Sequence, residues 1–139
     1  MDYGAISDPG RVRGNNEDSY TVLTETEGMD ILAVADGMGG HNAGEVASSL
    51  AIKKVQDYRF PTANLSWEVE KFIDQVNQDI WNKAQQEVEY QGMGTTLTLG
   101  IIVDSRLIIG HVGDSRAYLC RQKGLSQLTA DHSYTGRLV

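Results

Sequence analysis

Near Gly92 the hydrophobic period of this chain switches from helical to extended, and that switch restricts the fold more than any other feature. Upstream, from Ser66 to about Glu89, the residues Val69, Phe72, Ile73, Val76, Ile80, Ala84 and Val88 recur at i, i+3 and i+4, which predicts an amphipathic helix with Ser66 as its N-cap. A shorter helix is predicted over Ala43 to Tyr58, where Asn42 and Glu45 stand at a capping-box offset. Downstream, Leu97, Leu99 and Ile101 alternate with Thr96, Thr98 and Gly100, the period of a strand with one polar or tightly packed face. Asp104-Ser105 reads as a hairpin turn, followed by strands over Arg106 to Val112 and Ser115 to Arg121 and a short return over Leu125 to Leu128. Before the helices, Tyr20 to Thr24 and Ile31 to Ala35 form a hairpin-like pair, the second run continuously apolar as in a strand covered on both faces. The order β-β, α-α, β-β-β-β groups the helices together. It predicts an α+β fold, helices layered on a largely antiparallel sheet, and argues against a doubly wound parallel one.

At 139 residues the chain is expected to form one domain, without internal repeat or linker, and 40% hydrophobic with 22% charged residues is ordinary globular usage. The longest apolar run, Ile31 to Ala35, is far short of the roughly 20 residues of a membrane helix, and the N-terminus carries no signal-peptide pattern. A cytoplasmic location is therefore expected, with no membrane segment in this chain. Lys and Arg number 12 against 19 Asp and Glu, and the net charge of −7 disfavours nucleic acid as a partner. The single cysteine, Cys120, can form no internal disulfide and is expected to be a small buried hydrophobe. The apolar ending Arg137-Leu138-Val139, just past the cap-like Asp131-His132-Ser133, suggests a truncated chain.

Three acidic clusters bear on chemistry. Arg13-Gly14-Asn15-Asn16-Glu17-Asp18 puts two carboxylates at a strand entrance with a guanidinium five residues before the second, although the same composition makes an ordinary solvated turn. Asp36 ends the buried run and leads into Gly37-Met38-Gly39-Gly40-His41; a carboxylate there must be solvated, paired or metal-bound. The glycines match no phosphate-binding loop, but they permit close backbone approach, so that the Gly37 carbonyl could join Asp36 in presenting hard oxygens to a cation. Asp114, in Gly113-Asp114-Ser115-Arg116, is either a turn former or a third carboxylate. Convergence of Asp18, Asp36 and Asp114 would suit Mg²⁺ or Mn²⁺ rather than zinc.

Arg13-x-x-Asn16-Glu17-Asp18, Val34 to His41, Gly92-Met93-Gly94-Thr95-Thr96 and Gly113-Asp114-Ser115-Arg116 together resemble the metal-dependent, type 2C serine/threonine protein phosphatases in their bacterial form. The resemblance runs from about Gly4 to Ser133 and implies that residues 1–139 are the N-terminal part of one catalytic domain, an α-β-β-α sandwich with metals between its sheets. It implies two or three Mn²⁺ or Mg²⁺ ions in the complete site. Asp36 would bridge two of them, Gly37 would bind one, Glu17 and Asp18 would act through bound waters, and Asp114 would hold a weaker third. Arg13 would bind the substrate phosphate. The reaction implied is attack of a metal-activated water on phosphoserine or phosphothreonine, with phosphoproteins and a cognate Ser/Thr kinase as partners. Met38 stands where the animal branch has a histidine general acid, and the nearest histidine is His41. The family's later metal-binding aspartates lie beyond Val139, so these residues alone are expected to bind metal weakly and hydrolyse little. Two further expectations are self-association through open sheet edges and, as the alternative function, a non-catalytic module that binds phosphoproteins or regulates another phosphatase.

Overall fold

The computed structural model describes residues 1–40 and 42–132. Its centre is an antiparallel sheet in the order β1 (Asp18–Thr26), β2 (Met29–Met38), β4 (Leu97–Val103), β5 (Arg106–Val112), with the short β3 (Gly94–Thr95) paired to the end of β2. Two helices, α1 (Ala43–Asp57) and α2 (Leu65–Gln86), follow β2, and a separate hairpin of β6 (Tyr118–Arg121) and β7 (Gly124–Gln127) follows β5. The predicted α+β order is therefore present, with β3 added. No helix is long and apolar enough to cross a membrane among the described residues.

Side-chain alternation gives the sheet two different faces. Thr21, Ile31, Ala33, Ala35, Leu97, Leu99, Ile101 and Val103 are buried beneath the helices. On α1 the buried stripe is built from Ala43, Gly44, Ala47, Ser48, Ala51, Ile52 and Val55, and its five small residues let the helix lie close to β1 and β2. On α2 it is Leu65, Val69, Phe72, Val76, Ile80 and Ala84, packed toward β5 and α1. Gly110 favours this approach, because a Cβ there would run into Val69 Cγ1 and stand 2.8 Å from Ile73 Cδ1.

The opposite face corrects one expectation. Ile31 to Ala35 is covered on one side only: Leu32 is half-buried and Val34 is 45% exposed, on the same open face as Tyr20. The described residues thus form one helix layer on one main sheet, with the β6–β7 hairpin apart. Cys120 corrects another, being exposed on β6 and not buried, because nothing covers that hairpin among the described residues.

Both helix caps also differ from prediction. Asn42 and Asn64 precede the helices in the left-handed region, at φ 67° and 53°, and neither side chain caps its helix. Asparagine tolerates that conformation, and it turns the chain into the helix without a side-chain bond. Ser66 consequently lies inside the first turn of α2, and Val88 falls beyond Gln86 in a short 3₁₀ turn, 84% exposed. Asp104 and Ser105 do make the β4–β5 turn, both at positive φ (49° and 62°), the twist that two-residue hairpins favour.

Lys54 on α1 and Asp79 on α2 join the helices at 2.8 Å. The hydrogen bond from Lys54, then that from Gln75, holds the Asp79 carboxyl below its ordinary pKa of 3.8. A depressed folded-state pKa contributes stability that is fully present above the unfolded value and is lost as pH falls through the folded one. Acid unfolding of wild type should therefore show a contribution lost below about pH 4, and Asp79→Asn should remove it. The pair is partly exposed, so the cost at neutral pH is expected to be below about 1 kcal/mol in urea titrations.

Candidate metal centre

Asp18 and Asp36 are direct partners across the β1–β2 ladder, so both side chains leave the same, open face of the sheet. Like charges facing each other across antiparallel strands are unfavourable unless something neutralises them. The Asp36 carboxyl is accordingly raised above its ordinary pKa, first by burial, then by the charge and hydrogen bonding of Asp18, then by the charge of Asp114, while Arg13 opposes the shift.

Glu17 turns the other way, as adjacent residues at a strand entrance do. Its carbonyl accepts the Gly37 N–H at 3.0 Å, and its carboxylate lies over Gly44, where any Cβ would collide with it. Gly44 is the second residue of α1, and the positive end of the helix dipole favours a carboxylate at that position. Gly37 in turn is pressed against Gly44: a Cβ on Gly37 would meet the Gly44 carbonyl and would stand 2.8 Å from the Glu17 oxygen. The glycine run serves close backbone approach, as expected from its sequence, with the start of α1 and the Glu17 carbonyl as the facing surfaces.

Arg13, Glu17, Asp36, Gly37 and Asp114 line one depression, together with Met38, Thr96 and His132. Asn15 donates from Nδ2 to Asn42 Oδ1 at 2.9 Å, tying the Arg13 turn to the start of α1. Asp114 is held from the opposite side. The His132 N–H donates to the Gly113 carbonyl at 2.8 Å, and Arg116 forms a forked pair with Asp131, its Nη2 2.7 Å from Oδ2. His111 bridges Thr98 Oγ1 (2.8 Å) and the Ala130 carbonyl (3.0 Å), fastening that segment to the sheet. His41 lies outside the described residues. Thr96, Ser115 and His132 entered the sequence reading only as parts of motifs. They reach the site through long-range contacts that no local pattern announces.

Among the described residues no three His, Cys, Asp or Glu side chains converge tightly enough to ligate one ion alone. The structure pairs Asp18 with Asp36 and brings Asp114 near, without closing the three-carboxylate cluster. This donor set still fits an oxygen-preferring divalent cation. Mg²⁺ is ordinarily held by one or two carboxylates and several waters, and an unneutralised carboxylate pair is what such an ion would relieve. The oxygen-rich lining favours such an ion over zinc, which prefers nitrogen and sulfur ligands.

The described residues thus combine an antiparallel sheet carrying helices on one face with an acidic cleft lined by Arg13, Glu17, Asp36 and Asp114. The Protein phosphatase 2C family profile matches residues 12–137, and the chain belongs to that family. It is 42% identical over 139 residues to the serine/threonine phosphatase stp of Listeria monocytogenes, covering 96% of this chain and 55% of that one. It is likewise 42% identical to the serine/threonine protein phosphatase PstP of Mycobacterium tuberculosis, covering 99% of this chain and 26% of that one. Among solved structures, the catalytic domain of PstP in complex with two manganese ions superposes with a TM-score of 0.82 at 40% identity, covering 96% of this chain and 56% of that one. Stp1 from Staphylococcus aureus gives 0.86 at 32% identity, covering 96% and 54%. The chain thus spans about half the length of Listeria stp and of these solved catalytic domains.

Proposed function

We propose that these residues are the N-terminal part of a catalytic domain that hydrolyses phosphoserine and phosphothreonine in proteins, using two or three Mn²⁺ or Mg²⁺ ions in its complete site. The observation that carries the reading is the Asp18–Asp36 pair facing across two strands, with Asp36 lining the cleft that Arg13, Glu17 and Asp114 also line. Asp36 would hold the ions together with the Gly37 carbonyl, Glu17 and Asp18 would act through bound waters, and Asp114 would hold a further, weaker ion. A bound divalent ion supplies an activated water near neutral pH and neutralises charge on phosphorus during in-line displacement. Arg13 would grip the phosphoryl oxygens, for which the guanidinium fork is suited, and orient the phosphoester toward the carboxylates. His41 follows the glycine turn and is the candidate proton donor to the leaving hydroxyl. A cytoplasmic location and a cognate Ser/Thr kinase belong to the same reading, the kinase because a serine/threonine phosphatase, as the relatives are named, needs a phosphorylated protein to act on.

The test is hydrolysis of p-nitrophenyl phosphate and of a phosphoserine peptide, with Mn²⁺ and with chelator. The expected result for these residues alone is slow turnover that requires both Mn²⁺ and Asp36. Nanomolar phosphopeptide binding that persists in chelator, with no turnover, would replace the reading with a non-catalytic phosphoprotein-binding module.

We also propose self-association through the outer strands. Both β1 and β5 lack a neighbour on one side among the described residues, and β5 carries only one formal charge, Arg106, along its length. Light scattering should show mass rising with concentration. A strict monomer at high concentration would refute it.

A further inference from the structure

The Gly92–Thr96 stretch ends on a side chain with three separate contacts. Thr96 Oγ1 accepts the Asp36 N–H at 2.9 Å, and the Thr96 N–H returns to the Asp36 carbonyl at 2.9 Å. The same hydroxyl lies 2.6 Å from Ser115 Oγ. Its methyl group packs on Gly113, where a Cβ would stand 2.6 Å from Thr96 Cγ2 and where φ is +106°, so only glycine lets the turn settle there. Strand β4 separates β2 from β5 in the sheet, so β2 and the turn after β5 share no ladder of their own. Thr96 bridges them: its hydroxyl bonds the Asp36 backbone on one side and Ser115, one residue from Asp114, on the other.

We infer that Ser115 is a positioning residue, which through the Thr96 hydroxyl sets the separation of the Asp36 and Asp114 carboxylates. Thr96 Oγ1 uses a lone pair for the Asp36 N–H, which leaves its own proton for Ser115 or a second lone pair for the Ser115 proton. In either sense the two bonds run in series and reinforce each other. Without Ser115, the 113–115 turn keeps its hydrogen bond from His132 and the Thr96 methyl contact with Gly113 but loses its hydrogen-bonded tie, through Thr96, to Asp36 on β2. Metal sites tolerate displacements of only about 0.5 Å in their supporting groups. The inference rests on the metal-binding reading above.

The test uses this chain, ¹⁵N-labelled, as wild type, Ser115→Ala, Thr96→Val, Thr96→Ser and the Thr96→Val/Ser115→Ala double variant. Free Mn²⁺ is followed by EPR, and the Asp36 amide by NMR without metal. Ser115→Ala and Thr96→Val should each weaken Mn²⁺ binding by about 10- to 100-fold, while Thr96→Ser, which keeps the hydroxyl, should stay close to wild type. The double variant should be no weaker than Thr96→Val, because both act through one bond. The Asp36 amide resonance should move in Ser115→Ala. Unchanged Mn²⁺ affinity in Ser115→Ala, or losses that multiply in the double variant, would overturn the inference. Wild type that takes up no Mn²⁺ would instead sink the metal reading itself; an Asp36 amide indifferent to Ser115→Ala would then overturn the link.

Discussion

Gly37→Ala is expected to unfold this chain or lower its melting temperature by about 10 °C or more. The reason is steric and has two independent parts: a Cβ at that position would run into the Gly44 carbonyl, standing 2.5 Å from its carbon, and would stand 2.8 Å from the Glu17 carbonyl oxygen. Both obstacles are backbone, so no rotamer change relieves them. Moving α1 away would open the Ala43, Ala47 and Ala51 contacts with the sheet, and moving Glu17 away would break its bond from the Gly37 N–H. Overpacking of this kind costs about 3 kcal/mol or more, a large share of the roughly 5–15 kcal/mol that holds a domain together. Gly40 supplies the control from the same turn. A Cβ there meets nothing within 4 Å and its φ is not positive, so Gly40→Ala should change stability by no more than about 0.5 kcal/mol. Thermal melts of the two variants side by side decide the matter. A Gly37→Ala protein as stable as Gly40→Ala would mean that β2 and α1 are not in contact as described.

What was legible in the sequence divides along physical lines. Hydrophobic period reports which elements exist, because burial of one face is what makes a helix or strand pay, and both helices and the alternation at Leu97, Leu99 and Ile101 were readable for that reason. Period does not report how many faces are covered. Ile31 to Ala35 looks doubly buried, yet Val34 is largely exposed, since a continuously apolar strand has the same composition whether one layer or two lies against it. Caps failed for a related reason. Asn42 has the side chain of an N-cap, but its left-handed backbone and its bond from Asn15 are set by where the Arg13 turn lies in space. The acidic motifs were legible as residues and only partly as a site. Adjacency in sequence joined Glu17 to Asp18, whereas strand alternation sends one carboxylate to the start of α1 and the other across from Asp36. Thr96 and Ser115 meet over nineteen residues of separation, a contact that local patterns do not encode.

Asp36→Asn should separate stability from function in opposite directions. Without metal, replacing one of two carboxylates that face each other across β1 and β2 removes a like-charge repulsion, and the Asp36 backbone bonds to Thr96 are untouched by the change. Cross-strand charge pairs are worth roughly 0.2–1 kcal/mol, so the variant should melt slightly higher than wild type in chelator. With Mn²⁺ the order should reverse. A ligand that binds only the folded state stabilises by mass action, and the variant loses the carboxylate on which the proposed ions converge. Loss of supporting groups alone weakens metal sites by about 10- to 100-fold, so loss of Asp36 itself should weaken Mn²⁺ binding by more than about 100-fold and remove Mn²⁺-dependent hydrolysis. Stability in chelator and in millimolar Mn²⁺, measured on both proteins, gives four melting temperatures and one crossing. If Asp36→Asn were destabilised in chelator, the carboxylate would be held by protein partners, and the Asp18–Asp36 pair could not be the place where a cation binds.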